Sequence, residues 1–252
     1  MERVEVAGEL EWLARQDARG SGRTTGFDRD GWPASTWVLH AMYETATLAG
    51  GLTHDEAHRM SVAAGASEPS VVGDVNLHEI AGMTLVGSPL GRSESPGPGW
   101  TRLMWRDLAR RTGDDPFQGP PCVRSFRFPT SSWPVNIRPP AEGSLDREQF
   151  SRVCEHLAAL DGDDGTVLAY YARLATSDWS GGSVLFRGSI AELAGLYDDP
   201  TVLGSPSNIW SQDRSWFVYT DHDLWGTKVS GSPALIATLS QDPNLETADL
   251  PL

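Results

Sequence analysis

The residues best suited to chemistry are Asp221, His222 and Asp223, a carboxylate–imidazole–carboxylate run between two aromatic segments. Flanking carboxylates raise the pKa of an imidazole, and such a group moves protons near neutral pH. Tyr219 stands two residues earlier and adds a phenol. Asp also favours turns for a plainer reason, since its side chain hydrogen-bonds nearby backbone. His78 and Glu79 form a second titratable pair, in a strand-like segment. Adjacent strand residues point to opposite faces, so only one of the two can address a given cleft. A general base there needs hydrogen-bond reach to a substrate proton. Arg92 and Arg214 are the cations expected to hold an oxyanion.

Tryptophan is the compositional oddity, with ten in the chain. Trp210, Trp216 and Trp225 crowd one short stretch with Phe217 and Tyr219. Such density lines a pocket for a flat or greasy ligand, forms a protein-contact patch, or simply fills a core. Trp210, Trp216 and Trp225 are therefore candidate substrate-binding residues.

Several chemistries lack their motif. His54 and His58 share a helix face at i and i+4, but a zincin needs Glu directly after the first His, and Asp55 stands there. No third ligand is recognisable, so no tightly bound metal is expected. The loop at 87–91 (GSPLG) has no Gly-Lys-Ser/Thr ending, no G-x-G-x-x-G follows a strand, and no G-x-S-x-G elbow occurs. Nucleotide, flavin and α/β-hydrolase chemistry thus have no sequence support, and no cofactor is expected. The two cysteines, Cys122 and Cys154, form no C-x-x-C pair and read as reduced core thiols.

These side chains must be positioned by a mixture of helices and strands. The spacing of Trp37, Val38, Ala41, Met42 and Leu48 predicts a helix over 35–48. Thr53 and Glu56 make a capping box that opens a helix to about residue 64. Residues 75–80 and 83–86 read as a hairpin. Trp100, Leu103, Met104, Leu108 and Arg111 read as an amphipathic helix closed by Gly113. The span 116–143 is the most proline-rich, includes short strands at 123–128 and 133–137, and is expected to pack as a connection between lobes 1–115 and 144–252. Ser144 or Asp146 caps a helix carrying Phe150, Val153, Cys154 and Leu157. Strands are expected at 167–172 and 184–187, and Ser189 with Glu192 makes a second capping box. A hairpin is expected over 216–229, its tip at 221–223 open to solvent beside a cleft. Ser232 followed by Pro233 opens the last helix. Helices and strands are interspersed without strict alternation, which predicts an α+β fold with a largely antiparallel sheet in one compact unit.

Length and charge bound the function. The 252 residues suffice for a substantial core, with 39% apolar and 21% charged residues. The net charge of −14 argues against nucleic acid and anionic membrane as partners. It suits a basic protein or a neutral, apolar small molecule. No apolar run approaches the ~20 residues that span a bilayer, and the acidic first residues resemble no secretory signal, so a cytoplasmic location is expected.

Residues 87–100 (GSPLGRSESPGPGW) and 210–232 (WSQDRSWFVYTDHDLWGTKVSGS) resemble stretches in a family of uncharacterised proteins from high-GC bacteria. The resemblance extends over most of the chain after about Asp28 and implies no established activity, so it assigns no residue a role. By analogy it points to helpers of secondary metabolism or to toxin-immunity-like factors. Two functional expectations follow. The first is a cofactor-independent enzyme, such as a cyclase, dehydratase or isomerase, acting on an apolar small molecule by acid–base chemistry. The second is a non-enzymatic acidic protein of immunity type that neutralises a basic partner.

Overall fold

The computed structural model describes residues 1–14, 26–48, 51–67, 71–72, 75–76, 95–113, 128 and 132–249. Its first half carries β1 (Glu2–Val4), α1 (Ala7–Ala14), β2 (Ala34–Leu39), β3 (Met42–Thr45), α2 (His54–Ala63), β4 (Val71–Val72), β5 (Val75–Asn76), β6 (Trp100–Leu103) and α3 (Trp105–Thr112). Then follow β7 (Ile137–Arg138), α4 (Arg147–Asp161), β8 (Thr166–Tyr171), β9 (Val184–Ser189), α5 (Ile190–Leu193), β10 (Asn208–Ser211), β11 (Phe217–Tyr219), β12 (Gly226–Gly231), α6 (Pro233–Gln241) and β13 (Thr247–Ala248). An eight-stranded sheet runs β1-β9-β8-β10-β11-β12-β2-β13, and its pairs are all antiparallel. A three-stranded sheet, β6-β3-β7, and the small pair β4-β5 complete the strands among the described residues. The fold is α+β.

The helix starts follow from local chemistry. Thr53 accepts from the Glu56 backbone N–H, while the Glu56 carboxylate accepts from the Thr53 backbone, so the capping box of α2 is complete. The Asp146 carboxylate accepts from Gln149 N–H at the start of α4. Ser189 and Glu192 cap α5 reciprocally, and Ser232 with Pro233 opens α6.

Two expectations need correction. Residues 35–48 form β2 and β3 rather than a helix. β2 is central enough to be covered on both faces, so Trp37, Val38 and Leu39 are all buried and no polar alternation marks the strand. The stretch from Trp100 begins as β6, and only Trp105–Thr112 is helical. The hairpin expected over 75–86 and the strand at 123–128 lie largely outside the described residues.

Side-chain alternation splits the core across the main sheet. Val167, Ala169 and Tyr171 of β8 join Phe150, Val153 and Leu157 of α4 and Leu235 and Leu239 of α6 on one face. Leu168 and Tyr170 join Leu13 of α1, Trp37, Trp105, Trp210 and Phe217 on the other. Antiparallel register brings three connections to one end of the sheet. The α4–β8 loop meets the start of α5 through Ile190 N–H to Gly165 O and Ala191 N–H to Asp163 O. The β10–β11 turn meets β8 through Gln212 N–H to Thr166 O. The turn after β11 lies at the opposite end.

Candidate functional site

β11 leads into the titratable turn. Leu224 N–H donates to Asp221 O and closes it. Asp221 Oδ1 accepts from His222 N–H at 2.6 Å and from His222 Nδ1 at 2.7 Å. Tyr219 Oη donates to Asp221 Oδ2 at 3.4 Å. Gly143 N–H donates to Leu224 O at 2.8 Å and brings the preceding Glu142 to the turn. Gly143 has φ of 66°, and a Cβ there would meet His222 Cα at 2.7 Å, so glycine is what permits this approach. Burial raises the pKa of Asp221 above the usual carboxylate value, against the His222 hydrogen bond and charge, and Asp223 adds to the rise. The Glu142 side chain is exposed, yet desolvation against the turn also raises its carboxyl, with Asp223 adding and His222 opposing. Ligating atoms of Asp221, His222 and Asp223 lie within 4.8 Å of one another, so among the described residues these three could hold a metal ion. His222 and Asp223 face solvent, where such groups are common without one.

Tyr219, Asp221, His222 and Asp223 therefore come together as a group. The expected aromatic wall does not. Trp216 is buried on the α4 face, and its indole N–H donates to Asp161. Trp210 and Trp225 are buried on the opposite face. Trp210 packs edge-on to Trp12, and Trp225 lies 5.8 Å from Trp105 and 5.6 Å from Trp133. Arg214 sits in the β10–β11 turn, at the other end of β11 from Asp221. His78, Glu79 and Arg92 lie outside the described residues. His54 is buried, and its Nε2 donates to Ile137 O at 2.9 Å.

No family model, curated protein or solved structure matches this chain.

Sequence reasoning missed two features. Glu142 hides in the proline-rich span, where nothing in its neighbours marks it. Lys228 stands in β12, is buried, and donates to Asp28 Oδ1 at 3.1 Å and Asp30 Oδ1 at 3.2 Å. A lysine inside an otherwise strand-like run was the available signal.

The acidic end of the sheet is the second candidate surface. Asp161 at the end of α4, Asp163 and Asp164 of the α4–β8 loop and Asp213 of the β10–β11 turn are all exposed there. Asp163 and Asp164 form no ion pair among the described residues. Asp213 is held ionised, below its ordinary pKa, by Ser211 and Ser215. No helix among the described residues is long and apolar enough to cross a membrane.

Proposed function

We propose that the protein is a non-enzymatic acidic interaction protein of immunity type, which captures a basic protein partner through the acidic end of its main sheet. The observation that carries this reading is the convergence of Asp161, Asp163, Asp164 and Asp213 on one exposed edge, in a chain of net charge −14. Like charges left unpaired cost a free protein self-repulsion, and a basic partner removes that cost. Complementary charge also steers encounter and suppresses wrong partners. The edge sits on a sheet fixed from both faces, so it is presented rigidly, with little ordering cost on binding. The double variant Asp163→Lys/Asp164→Lys alters exposed loop positions and leaves the core intact. Affinity capture from host extract should retain a basic protein on the wild type, lose it on this variant, and lose it on both at about 0.5 M salt, where screening is short-ranged. Identical capture profiles would refute the reading.

A second reading is favoured by the turn at 221–223. It is acid–base catalysis on an apolar small molecule, of the cyclase, dehydratase or isomerase kind. Two carboxyls with raised pKa beside one imidazole are a proton-transfer arrangement. Trp210, Trp216 and Trp225 fill the core on two faces, which leaves this reading with titratable groups but without a shared aromatic wall. In a carboxyl-carbon NMR titration, Asp221 and Glu142 should titrate above ordinary carboxylates, and both should fall in Asp223→Asn. Deletion of the gene followed by small-molecule profiling would favour this reading if an uncyclised intermediate accumulates and Asp221→Asn fails to clear it.

A further inference from the structure

One row of side chains crosses the main sheet on the face opposite α4. Antiparallel register aligns Tyr170 of β8, Asn208 of β10, Tyr219 of β11, Lys228 of β12 and Trp37 of β2. Paired residues point to the same face, so the row is an aromatic floor interrupted by one amide and one ammonium. All five residues are buried. Residues 26–33 (GFDRDGWP) lie over this row as an irregular segment that belongs to no strand ladder among the described residues.

Both polar members of the row bind this segment. Asn208 Oδ1 accepts from Phe27 N–H at 2.8 Å, and Asn208 Nδ2 donates to Phe27 O at 3.0 Å. Nδ2 also donates to Val218 O at 3.1 Å, which fixes the amide. An amide that takes both backbone groups of one residue reads a peptide as a neighbouring strand does. The Phe27 ring packs 5.6 Å from that of Tyr170. Lys228 Nζ donates to Asp28 and to Asp30, at 3.1 and 3.2 Å. Arg29 reaches α1, where its Nη1 donates to Trp12 O at 2.6 Å. Trp32 stacks on Phe217 at 5.0 Å and 8°, and its indole N–H donates to Arg214 O at 2.9 Å. Asp30, Gly31 and Pro33 are exposed, so the outer side of the segment faces solvent. Replacing a buried ion pair by apolar side chains is often neutral or stabilising, so stability alone does not account for an ammonium in this row.

We infer that the row is a peptide-binding groove, closed in cis by residues 27–32, and that it takes in trans a segment of another protein in which an aromatic residue is followed by carboxylates one and three places on. The bound segment itself shows that one chain reaches the aromatic floor, Asn208 and Lys228 together. A trans segment replaces Phe27 on Tyr170 and Asn208, and replaces Asp28 and Asp30 on Lys228. Lifting the cis segment without such a replacement leaves Lys228 buried and unpaired, which restricts the groove to acidic segments. The groove is separate from the acidic end of the sheet and independent of what that end binds.

The test uses the full chain and a fluorescein-labelled peptide of residues 26–33, with the same peptide carrying Asn for both Asp as control. In Asp28→Asn/Asp30→Asn the cis segment no longer neutralises Lys228. The acidic peptide should bind this variant with Kd of about 0.1 mM or tighter by fluorescence anisotropy and raise its Tm, and the control should do neither. In the wild type the tethered segment competes at an effective concentration on the order of mM, so the acidic peptide should bind more weakly by about tenfold or more. Adding Lys228→Met to the double variant should abolish the preference for the acidic peptide. Trp32→Ala loosens the segment at Trp32 alone and keeps both ion pairs. It should bind the acidic peptide more tightly than the wild type does, and it carries the test if the double variant does not fold. Equal binding of the two peptides, wild-type binding as tight as that of the variants, or no binding by a folded variant would each overturn the inference.

Discussion

His40 and Lys228 show how single buried groups set the protein's response to pH and mutation. The Ala141 carbonyl can only accept, so His40 Nδ1 must carry the proton that bonds it at 2.7 Å. Its Nε2 then accepts from the Thr227 hydroxyl at 2.9 Å. Full burial brings its pKa down to about 4, against the Ala141 hydrogen bond. The folded protein thus binds this proton less readily than the unfolded chain, whose His titrates near ~6.5. Stability should therefore fall as pH drops from ~6.5 toward about 4. Below that Asp242 takes over. Burial pushes its carboxyl up, but the Asn244 N–H, His156 and Arg152 outweigh burial and hold it at about 2. Its contribution is present above the ordinary Asp value and is lost as pH falls toward about 2. Thermal midpoints across this range check both, and a midpoint flat from pH ~6.5 to ~4 would contradict the His40 assignment. At Lys228 the two directions of mutation differ. Replacing the ammonium by Met leaves Asp28 and Asp30, whose side chains are 17% and 78% exposed, with water to solvate them. Replacing both carboxylates by Asn leaves an ammonium only 3% exposed. The Asn double variant should lose about 3–5 kcal/mol, and Lys228→Met clearly less, by denaturant unfolding.

At the scale of elements, α4 is tied to the small sheet by its cap. Asp146 accepts from Gln149 N–H and also from the Tyr43 hydroxyl of β3. Gln149 in turn donates to Leu39 O and accepts from Ala41 N–H. Asp146→Ala removes the cap and strands the buried Tyr43 hydroxyl, so it should cost about 2–4 kcal/mol, more than an isolated cap. A Tm change no larger than that of an exposed cap would contradict this. The same logic explains what was legible in the sequence. Caps are local, so Thr53 with Glu56, Asp146, Ser189 with Glu192, and Ser232 with Pro233 marked their helices directly. The α4 face was legible because Phe150, Val153, Cys154 and Leu157 repeat with helical period on one side. β2 was not, because a strand buried on both faces carries no polar alternation, and Trp37, Val38 and Ala41 coincide with helical spacing. The turn at 221–223 was legible from its own residues. Its partner Glu142 was not, since it arrives through Gly143 from a distant segment. The tryptophans misled because density in sequence does not say which face of a sheet each ring takes. Trp216 and Phe217 are neighbours in the chain and lie in different cores.

At the scale of the molecule, one sheet carries two separate charge environments. Its end bears the exposed acids of the α4–β8 loop and the β10–β11 turn, and Arg214 leaves that turn to lie over Trp12 instead. β2, from the first lobe expected in the sequence, lies between β12 and β13 of the second. Cleavage near residue 130 should therefore leave the two pieces associated under native conditions, and limited proteolysis followed by gel filtration checks this. Two independently stable halves would contradict it. The central claim, capture of a basic protein by the acidic end, is tested most directly by the association rate of the captured partner as a function of salt. Steered association should be fast at low salt, fall steeply as ionic strength rises, and slow by tenfold or more in Asp163→Lys/Asp164→Lys with little change in the dissociation rate. An association rate indifferent to both salt and the double variant would contradict it.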